Sequence, residues 1–355
     1  MTDIHHRIRV LVVDDSALVR QAISEALGRD PALEVVGTAP DPYVAREKIA
    51  RLNPDVITLD LEMPRMDGLT FLRILMKHHP LPVVVVSSLT QAGSQAALEA
   101  MEAGAVDVLA KPDGTMSLGA VGDRLAWHVK AAAEAGSRLR RRVEPSLRQP
   151  PVPATPIPPT GRPLHDRQII VIGASTGGVE ALRRLIPLLP VQLPPVAIVQ
   201  HISALFSRAV AERLDSLAAL RVREAGDDEP LRPGECVIAP GDVHLAVEHR
   251  GGGFRTRLVR SPPLHHCRPA VDILFRSAAE AAGPHVVAAL LTGMGSDGAL
   301  GMKAVREAGG TTLAEHESTC VVYGMPRAAI ELGVVDRVMP LGDMAAAIVE
   351  ATVRR

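Results

Sequence analysis

The run Ile169-Ile170-Val171-Ile172-Gly173-Ala174-Ser175-Thr176-Gly177-Gly178 reads as a buried strand that breaks into small residues around one serine and then becomes a helix. It matches G-x-S-x-G, in which glycines let the backbone turn sharply so that a hydroxyl stands exposed at the strand's carboxyl end as a nucleophile. A glycine-rich phosphate cradle is the rival reading. It fits less well, because the spacing is not G-x-G-x-x-G and no Lys-Ser/Thr pair follows. On the motif alone, a plain tight turn also stays open.

Two further strand-like runs end in the groups such a nucleophile needs. Val196-Ala197-Ile198-Val199-Gln200 leads straight into His201, and Val286-Val287-Ala288-Ala289-Leu290-Leu291 leads through Thr292-Gly293-Met294-Gly295-Ser296 into Asp297. Phe206, Val210 and Leu214 recur at helical spacing after His201, and Val179, Leu182, Leu185 and Leu189 follow Ser175, so both segments read as one-faced helices. In open parallel sheets, ligands bind outside the carboxyl ends of the strands. A serine, a histidine and an aspartate at three such ends would meet as nucleophile, general base and the carboxylate that orients the base, the set that acyl transfer requires. Their chain order, Ser then His then Asp, differs from the familiar hydrolase orders and implies a separate fold family.

The first half places carboxylates in the same way. A strand Ile8–Val13 stops at Asp14-Asp15, residues 56–59 stop at Asp60, residues 83–86 stop at Ser87-Ser88, and a further strand ends near Leu109, just before Lys111-Pro112. Three carboxylates, a hydroxyl and an ammonium should converge on one crevice. The like charges would repel, and hard oxygen donors with a water-rich shell suit magnesium. Helix capping by Asp14 or Asp15 with a surface Asp60 is the plainer reading.

Length and composition frame both clusters. At 355 residues the chain is long for one domain and comfortable for two. Apolar residues make up 47% and aromatic residues 2%, so the cores should be aliphatic, as in α/β folds whose parallel sheets are covered by helices. A net charge of −1 gives no support to nucleic-acid binding, and no basic recognition helix is evident. Cys236, Cys267 and Cys320 are too few and too dispersed for a disulfide framework, which argues for a reducing compartment. No apolar stretch reaches membrane-spanning length and residues 1–9 do not form a signal peptide, so a cytoplasmic protein without membrane insertion is expected. Eight prolines between residues 145 and 163 have the composition of an extended, semi-rigid linker. Just before them, Arg138, Arg140, Arg141 and Arg142 suit a solvated helix C-terminus.

On these residues the first half resembles the receiver domain of two-component response regulators, most specifically over Asp60-Leu61-Glu62-Met63-Pro64-Arg65-Met66-Asp67-Gly68-Leu69. The resemblance implies a flavodoxin-like domain over residues 1–125, with Asp60 accepting a phosphoryl group from a chemotaxis histidine kinase. It also implies that Asp15 and Asp60, with the backbone carbonyl of Glu62, hold Mg²⁺ and that Asp14 supports the site. Ser87 becomes the switch hydroxyl, and Lys111 contacts the phosphoryl group. One departure stands out: Val108 occupies the position where receivers often carry an aromatic switch residue.

Residues 167–355 resemble the catalytic domain of the chemotaxis protein-glutamate methylesterase (CheB) family. The order of receiver, helix end and linker over residues 126–166, and esterase matches that family over nearly the whole chain. The matching runs are Gly173 to Gly178, Ile238-Ala239-Pro240-Gly241-Asp242-Val243-His244, Leu291-Thr292-Gly293-Met294-Gly295-Ser296-Asp297-Gly298 and Tyr323-Gly324-Met325-Pro326-Arg327-Ala328-Ala329. The resemblance implies a doubly wound parallel-sheet esterase domain with the triad Ser175, His201 and Asp297. The backbone amides of Thr176 and Met294 become the oxyanion donors, and no cofactor is expected in this domain. The implied activity is phosphorylation-activated hydrolysis of glutamate methyl esters on methylated chemoreceptors, releasing methanol and glutamate, with deamidation of receptor glutamines by the same acyl-enzyme path. After the base, where the family is expected to carry a methionine-proline pair, this chain has Ile202-Ser203.

Other polar residues have plainer readings. His244, His265, His266 and His316 compete with His201 for the role of base, but loop histidines are more often simply solvated. The trio His265-His266-Cys267 offers soft-metal ligand types, yet adjacent side chains seldom reach one ion and no second Cys/His cluster accompanies it. Cys236, beside Val237-Ile238, reads as buried packing. The alternative from another class, a phosphorylation-dependent binding module without catalysis, would need a broken triad, and all three positions are intact.

Overall fold

Aliphatic runs alternating with one-faced helices fold into two separate parallel sheets in this computed structural model, which describes residues 7–88, 90–111, 118–142 and 165–353. The chain divides into two units between Pro150 and Pro151. The proline-rich stretch and the side chains of Arg138, Arg140, Arg141 and Arg142 lie outside the described residues.

The first unit comprises β1 (Ile8–Val13), α1 (Ala17–Leu27), β2 (Leu33–Ala39), α2 (Pro42–Leu52), β3 (Val56–Leu59), α3 (Gly68–His78), β4 (Val83–Ser87), α4 (Gln91–Glu102), β5 (Asp107–Ala110) and α5 (Leu118–Arg142). Its sheet runs β2-β1-β3-β4-β5 with every pair parallel. That is the flavodoxin-like order, whose ligand crevice opens where the strand order reverses, between β1 and β3. Strands covered on both faces lose the polar-apolar alternation, and Val10 to Val13 and Val83 to Val86 are all buried. Short side chains start the helices: Asp41 accepts the Tyr43 and Val44 amides at 2.9 and 3.0 Å, and Asp67 accepts the Thr70 amide at 2.8 Å.

The second unit comprises β6 (Ile169–Ala174), α6 (Gly178–Leu185), β7 (Val196–Gln200), α7 (Ala204–Asp215), β8 (Arg221–Glu224), β9 (Pro230–Leu231), β10 (Glu235–Ile238), β11 (His244–Arg250), β12 (Gly253–Val259), α8 (Val271–Ala282), β13 (Val286–Leu290), α9 (Ala299–Glu307), β14 (Thr311–Glu315), α10 (Met325–Glu331), β15 (Arg337–Met339) and α11 (Leu341–Val353). Seven strands form one parallel sheet in the order β15-β14-β13-β6-β7-β10-β8. The order reverses at β6. Its neighbour on one side is β7 and on the other β13, so the three strands that end at Ser175, His201 and Asp297 lie side by side. Phe206, Val210 and Leu214 line the buried face of α7, and Leu182 and Leu185 that of α6, where Val179 is only half-buried.

A small antiparallel sheet, β11-β12-β9, was not anticipated. Gly251 and Gly252, with φ of 66° and 82°, join β11 to β12 in a two-residue hairpin that demands positive φ at both positions. Leu245, Val247 and Phe254 from this sheet share a core with Leu274, Phe275 and Ala278 of α8. That packing anchors α8, whose first turn enters the site described next.

Candidate active site

Three glycines shape the turn that carries Ser175, each for a different steric reason. A Cβ on Gly173 would lie 2.3 Å from Val271 Cγ1, and one on Gly178 would lie 2.1 Å from Gln200 Oε1. Gly177 has φ +77° and would place a Cβ 2.5 Å from Val321, so the left-handed residue of this elbow is the glycine and not the serine. The turn is tied on both sides. Ser175 N donates to Thr292 O at 3.0 Å, Gln200 Nε2 donates to Ser175 O at 2.9 Å, and Thr292 Oγ1 donates to Thr176 O at 3.0 Å. The exposed hydroxyl that the motif suggested is instead buried: Ser175 is 2% exposed.

The imidazole beside it is that of His201, whose backbone N–H donates to Ala174 O at 3.0 Å. Its Nδ1 lies 3.0 Å from Ser175 Oγ and its Nε2 lies 2.8 Å from Asp297 Oδ2. Asp297 is nearly buried, yet every lone pair that matters is matched. Oδ2 also accepts Val271 N at 2.7 Å, and Oδ1 accepts Asp272 N at 2.9 Å. Both donors belong to the first turn of α8, where the helix dipole favours an anion. Burial works against the charge on Asp297, but His201 and these two amides outweigh it and hold the carboxyl below its ordinary range. For His201, burial opposes the imidazolium, while the Cys267 sulfur and then Asp297 favour it and hold it above the ordinary histidine range. The pull of the carboxylate does not depend on the state of the thiol, so Asp297 is the lasting cause.

Cys267, read from the sequence only as part of the trio His265-His266-Cys267, makes a contact with the base that sequence reasoning did not foresee. Its Sγ is 3.4 Å from His201 Nδ1, on the same side of the ring as Ser175. No local signal marks this contact, since 66 residues separate the two side chains. The other histidines do not approach Ser175 as partners. His244, expected as a solvated loop residue, is fully buried, with Nε2 at 3.1 Å from Pro262 O and Nδ1 accepting Ala270 N at 3.1 Å; burial pushes its pKa down. His265 meets Asp272 at 3.0 Å, His266 is exposed, and His316 pairs with Ser318 at 2.9 Å. Ile202 and Ser203 lie between β7 and α7, and Ser203 caps α7 through its extended backbone, with φ −74° and ψ 156°.

In the first unit Asp14, Asp15 and Asp60 offer carboxylate oxygens within 4.8 Å of one another. Lys111 Nζ lies 2.9 Å from Asp14 Oδ2 and 2.7 Å from Asp60 Oδ2. Burial raises the Asp60 carboxyl to about 6; Lys111 opposes that rise and Asp14 adds to it. Hard oxygens crowded beyond what one ammonium neutralises fit a magnesium ion. Gly68 lets the start of α3 pack against the backbone that follows β3, since a Cβ there would stand 2.0 Å from the Asp60 backbone oxygen. Ser87 ends β4 fully buried and accepts Lys111 N at 2.7 Å through its carbonyl, and Glu62 N donates to Asp60 Oδ1 at 3.1 Å. Val108 is buried in β5 opposite Val85, so no aromatic ring stands there.

Comparison with known proteins gives a family for each of the two units. Residues 170–348 match the family described as CheB methylesterase, and residues 10–120 match the response regulator receiver domain. A protein-glutamate methylesterase/protein-glutamine glutaminase of Syntrophus aciditrophicus is 46% identical over 343 residues, covering 97% of this chain and 98% of that protein. One from Pseudomonas aeruginosa is 49% identical over 350 residues, covering 98% of each. The crystal structure of the Thermotoga maritima CheB methylesterase catalytic domain superposes with a TM-score of 0.51 at 43% identity, covering 52% of this chain and 97% of that domain.

Proposed function

This chain belongs to the CheB methylesterase family and carries a response regulator receiver domain ahead of its esterase domain, and from that premise we infer a phosphorylation-activated protein-glutamate methylesterase that is also a protein-glutamine glutaminase. The observation that carries the catalytic half is the line Ser175 Oγ, His201, Asp297, with hydrogen-bond distances of 3.0 and 2.8 Å.

Ser175 Oγ attacks the side-chain carbonyl of a glutamate methyl ester while His201 Nδ1 takes its proton. Asp297 keeps the other proton on Nε2 and stabilises the imidazolium that forms. The oxyanion is met by the backbone amides of Thr176 and Met294. His201 returns the proton to the leaving methanol, then removes one from water, whose attack on the acyl-enzyme releases glutamate. With a glutamine side chain the leaving group is ammonia and the rest of the path is the same. A binding module without catalysis has no use for a base aligned between nucleophile and carboxylate.

In the receiver domain Asp60 is the phosphoryl acceptor, with Lys111 and Ser87 contacting the transferred group. Asp15, Asp60 and the Glu62 carbonyl are the ligands of choice for Mg²⁺, with Asp14 in support; the ion, when bound, neutralises charge on the incoming phosphoryl oxygens. The donor is a chemotaxis histidine kinase and the substrate a methylated chemoreceptor. Among the described residues no helix is long and apolar enough to cross a membrane, and three dispersed cysteines favour a cytoplasmic setting. We assign residues 1–125 to the receiver, 126–166 to the helix end and linker, and 167–355 to catalysis.

The experiment is methanol release from methylated receptor membranes, with and without a small phosphoryl donor and Mg²⁺. The reading requires release that the donor increases and that Asp60→Asn no longer increases. Release without any response to the donor would leave an esterase but remove its phosphorylation control.

A further inference from the structure

Residues 264–267 form a closed turn that aims a thiol at the catalytic base. Leu264 and Cys267 exchange both backbone hydrogen bonds, at 3.0 and 2.8 Å. The two residues between them, His265 and His266, take φ of 51° and 62°. Left-handed backbone costs a side-chain-bearing residue about 1–2 kcal/mol, so it persists where other contacts over-determine it. Here His265 Nε2 is held 3.0 Å from Oδ2 of the buried Asp272, which in turn accepts Gly301 N at 2.6 Å.

The outcome is a thiol and a hydroxyl that both stand beside one ring nitrogen. Cys267 Sγ and Ser175 Oγ lie 3.4 and 3.0 Å from His201 Nδ1. A tetrahedral zinc with its usual Zn–S and Zn–N bond lengths sets sulfur and nitrogen about 3.5 Å apart, close to the separation present. Behind the ring, Asp297 holds Nε2 at 2.8 Å, and a carboxylate on the far nitrogen is what orients and strengthens a metal-ligating histidine. Thiolate and imidazole together select zinc over the hard cations that suit the receiver carboxylates.

We propose that Cys267 Sγ, His201 Nδ1 and Ser175 Oγ form an inhibitory site for Zn²⁺, with water as the fourth ligand. The thiol gives up its proton to solvent when the ion binds, and the proton on Nε2 stays with Asp297. The ion occupies the Nδ1 lone pair that would deprotonate Ser175, so ester hydrolysis stops while the metal remains. No bond to carbon changes and nothing is oxidised. The inhibitory effect rests on His201 being the base; the binding does not.

The test uses the full chain freed of metal by a chelator. Co²⁺ serves as an optical probe, because a thiolate–cobalt bond adds a near-ultraviolet charge-transfer band that oxygen ligands do not. Wild type should show the band and lose it on adding Zn²⁺; Cys267→Ser and Cys267→Ala should not show it, while Cys320→Ser should keep it. In parallel, methanol release is measured for each variant with and without Zn²⁺ in Mg²⁺ buffer. Zinc should inhibit wild type reversibly, and the Cys267 variants should need about tenfold more or higher. Absence of the band, or equal zinc sensitivity in wild type and both variants, overturns the site. A band in wild type with undiminished methanol release would keep the metal site and overturn His201 as base.

Discussion

Cys267 and Ser175 reach the same nitrogen of His201. Sulfur and hydroxyl stand 3.4 and 3.0 Å from Nδ1, while Asp297 engages Nε2 at 2.8 Å. The ring is therefore presented to its nucleophile through Nδ1, the reverse of the chymotrypsin arrangement, in which Nε2 faces the serine. Two amides of α8 lock Asp297, so the orientation of the base is set by β13 and α8 together.

Asp297→Asn should cost about 10⁴-fold in kcat, because an amide facing Nε2 favours the tautomer that puts the proton on Nδ1, where the lone pair is needed. Steady-state methanol release is the readout. A loss below about tenfold would make Asp297 a structural residue rather than the partner of the base.

The pH profile follows from the same contacts. His201 works as a base only when unprotonated. Burial disfavours its imidazolium, but the Cys267 sulfur and Asp297 raise it above the ordinary value of 6.5. kcat/KM should therefore rise with pH through a midpoint above that value, and Cys267→Ala should move the midpoint down. A midpoint at or below the ordinary value, unmoved by the substitution, would contradict the assignment.

Asp60 gives a stability prediction of definite sign. Its folded-state carboxyl is raised from 3.8 to about 6, mainly by burial. The folded unit thus holds this proton more tightly than the unfolded chain does. The stability this contributes is present below the ordinary carboxyl value and is lost as pH rises through about 6. At neutral pH without divalent cation, Asp60→Asn should melt higher than wild type in the receiver transition. Mg²⁺ should stabilise wild type, by roughly 2.7 kcal/mol at a hundred times its Kd, and the variant far less. Calorimetry that finds the variant less stable in the absence of metal would contradict the raised carboxyl.

Much of this was readable from residue types. Strands buried on both faces appear as uninterrupted aliphatic runs, so β1, β3, β6, β7 and the polar groups at their ends could be placed from the sequence. Which strands lie side by side was not written locally; the adjacency of β13, β6 and β7 emerges only from the order of the sheet. The hairpin of β11 and β12 did carry a signal, two glycines between paired runs, which the stronger motifs around it overshadowed. The His244 side chain is buried because it braces the segment before α8, and a single histidine at the start of a strand gives no sign of that. Cys267 was the hardest. Its place depends on a turn with two left-handed histidines, a conformation those residue types do not advertise.

The serine elbow can be strained on purpose. Gly177→Ala adds a Cβ at φ +77° and 2.5 Å from Val321, which should destabilise the second unit by about 1–3 kcal/mol and lower methanol release. Val321→Ala in the same chain should recover part of the melting temperature. A Gly177→Ala variant that melts and turns over like wild type would show that the elbow tolerates a side chain.

The most direct test is to ask which atom takes the acyl group, since two nucleophilic atoms share one base. Methanol release from methylated receptors should fall by several orders of magnitude in Ser175→Ala, whereas Cys267→Ala, assayed with chelator present, should lose less than about tenfold. The reverse pattern, with Ser175→Ala active and Cys267→Ala dead, would make the thiol the nucleophile and contradict the account.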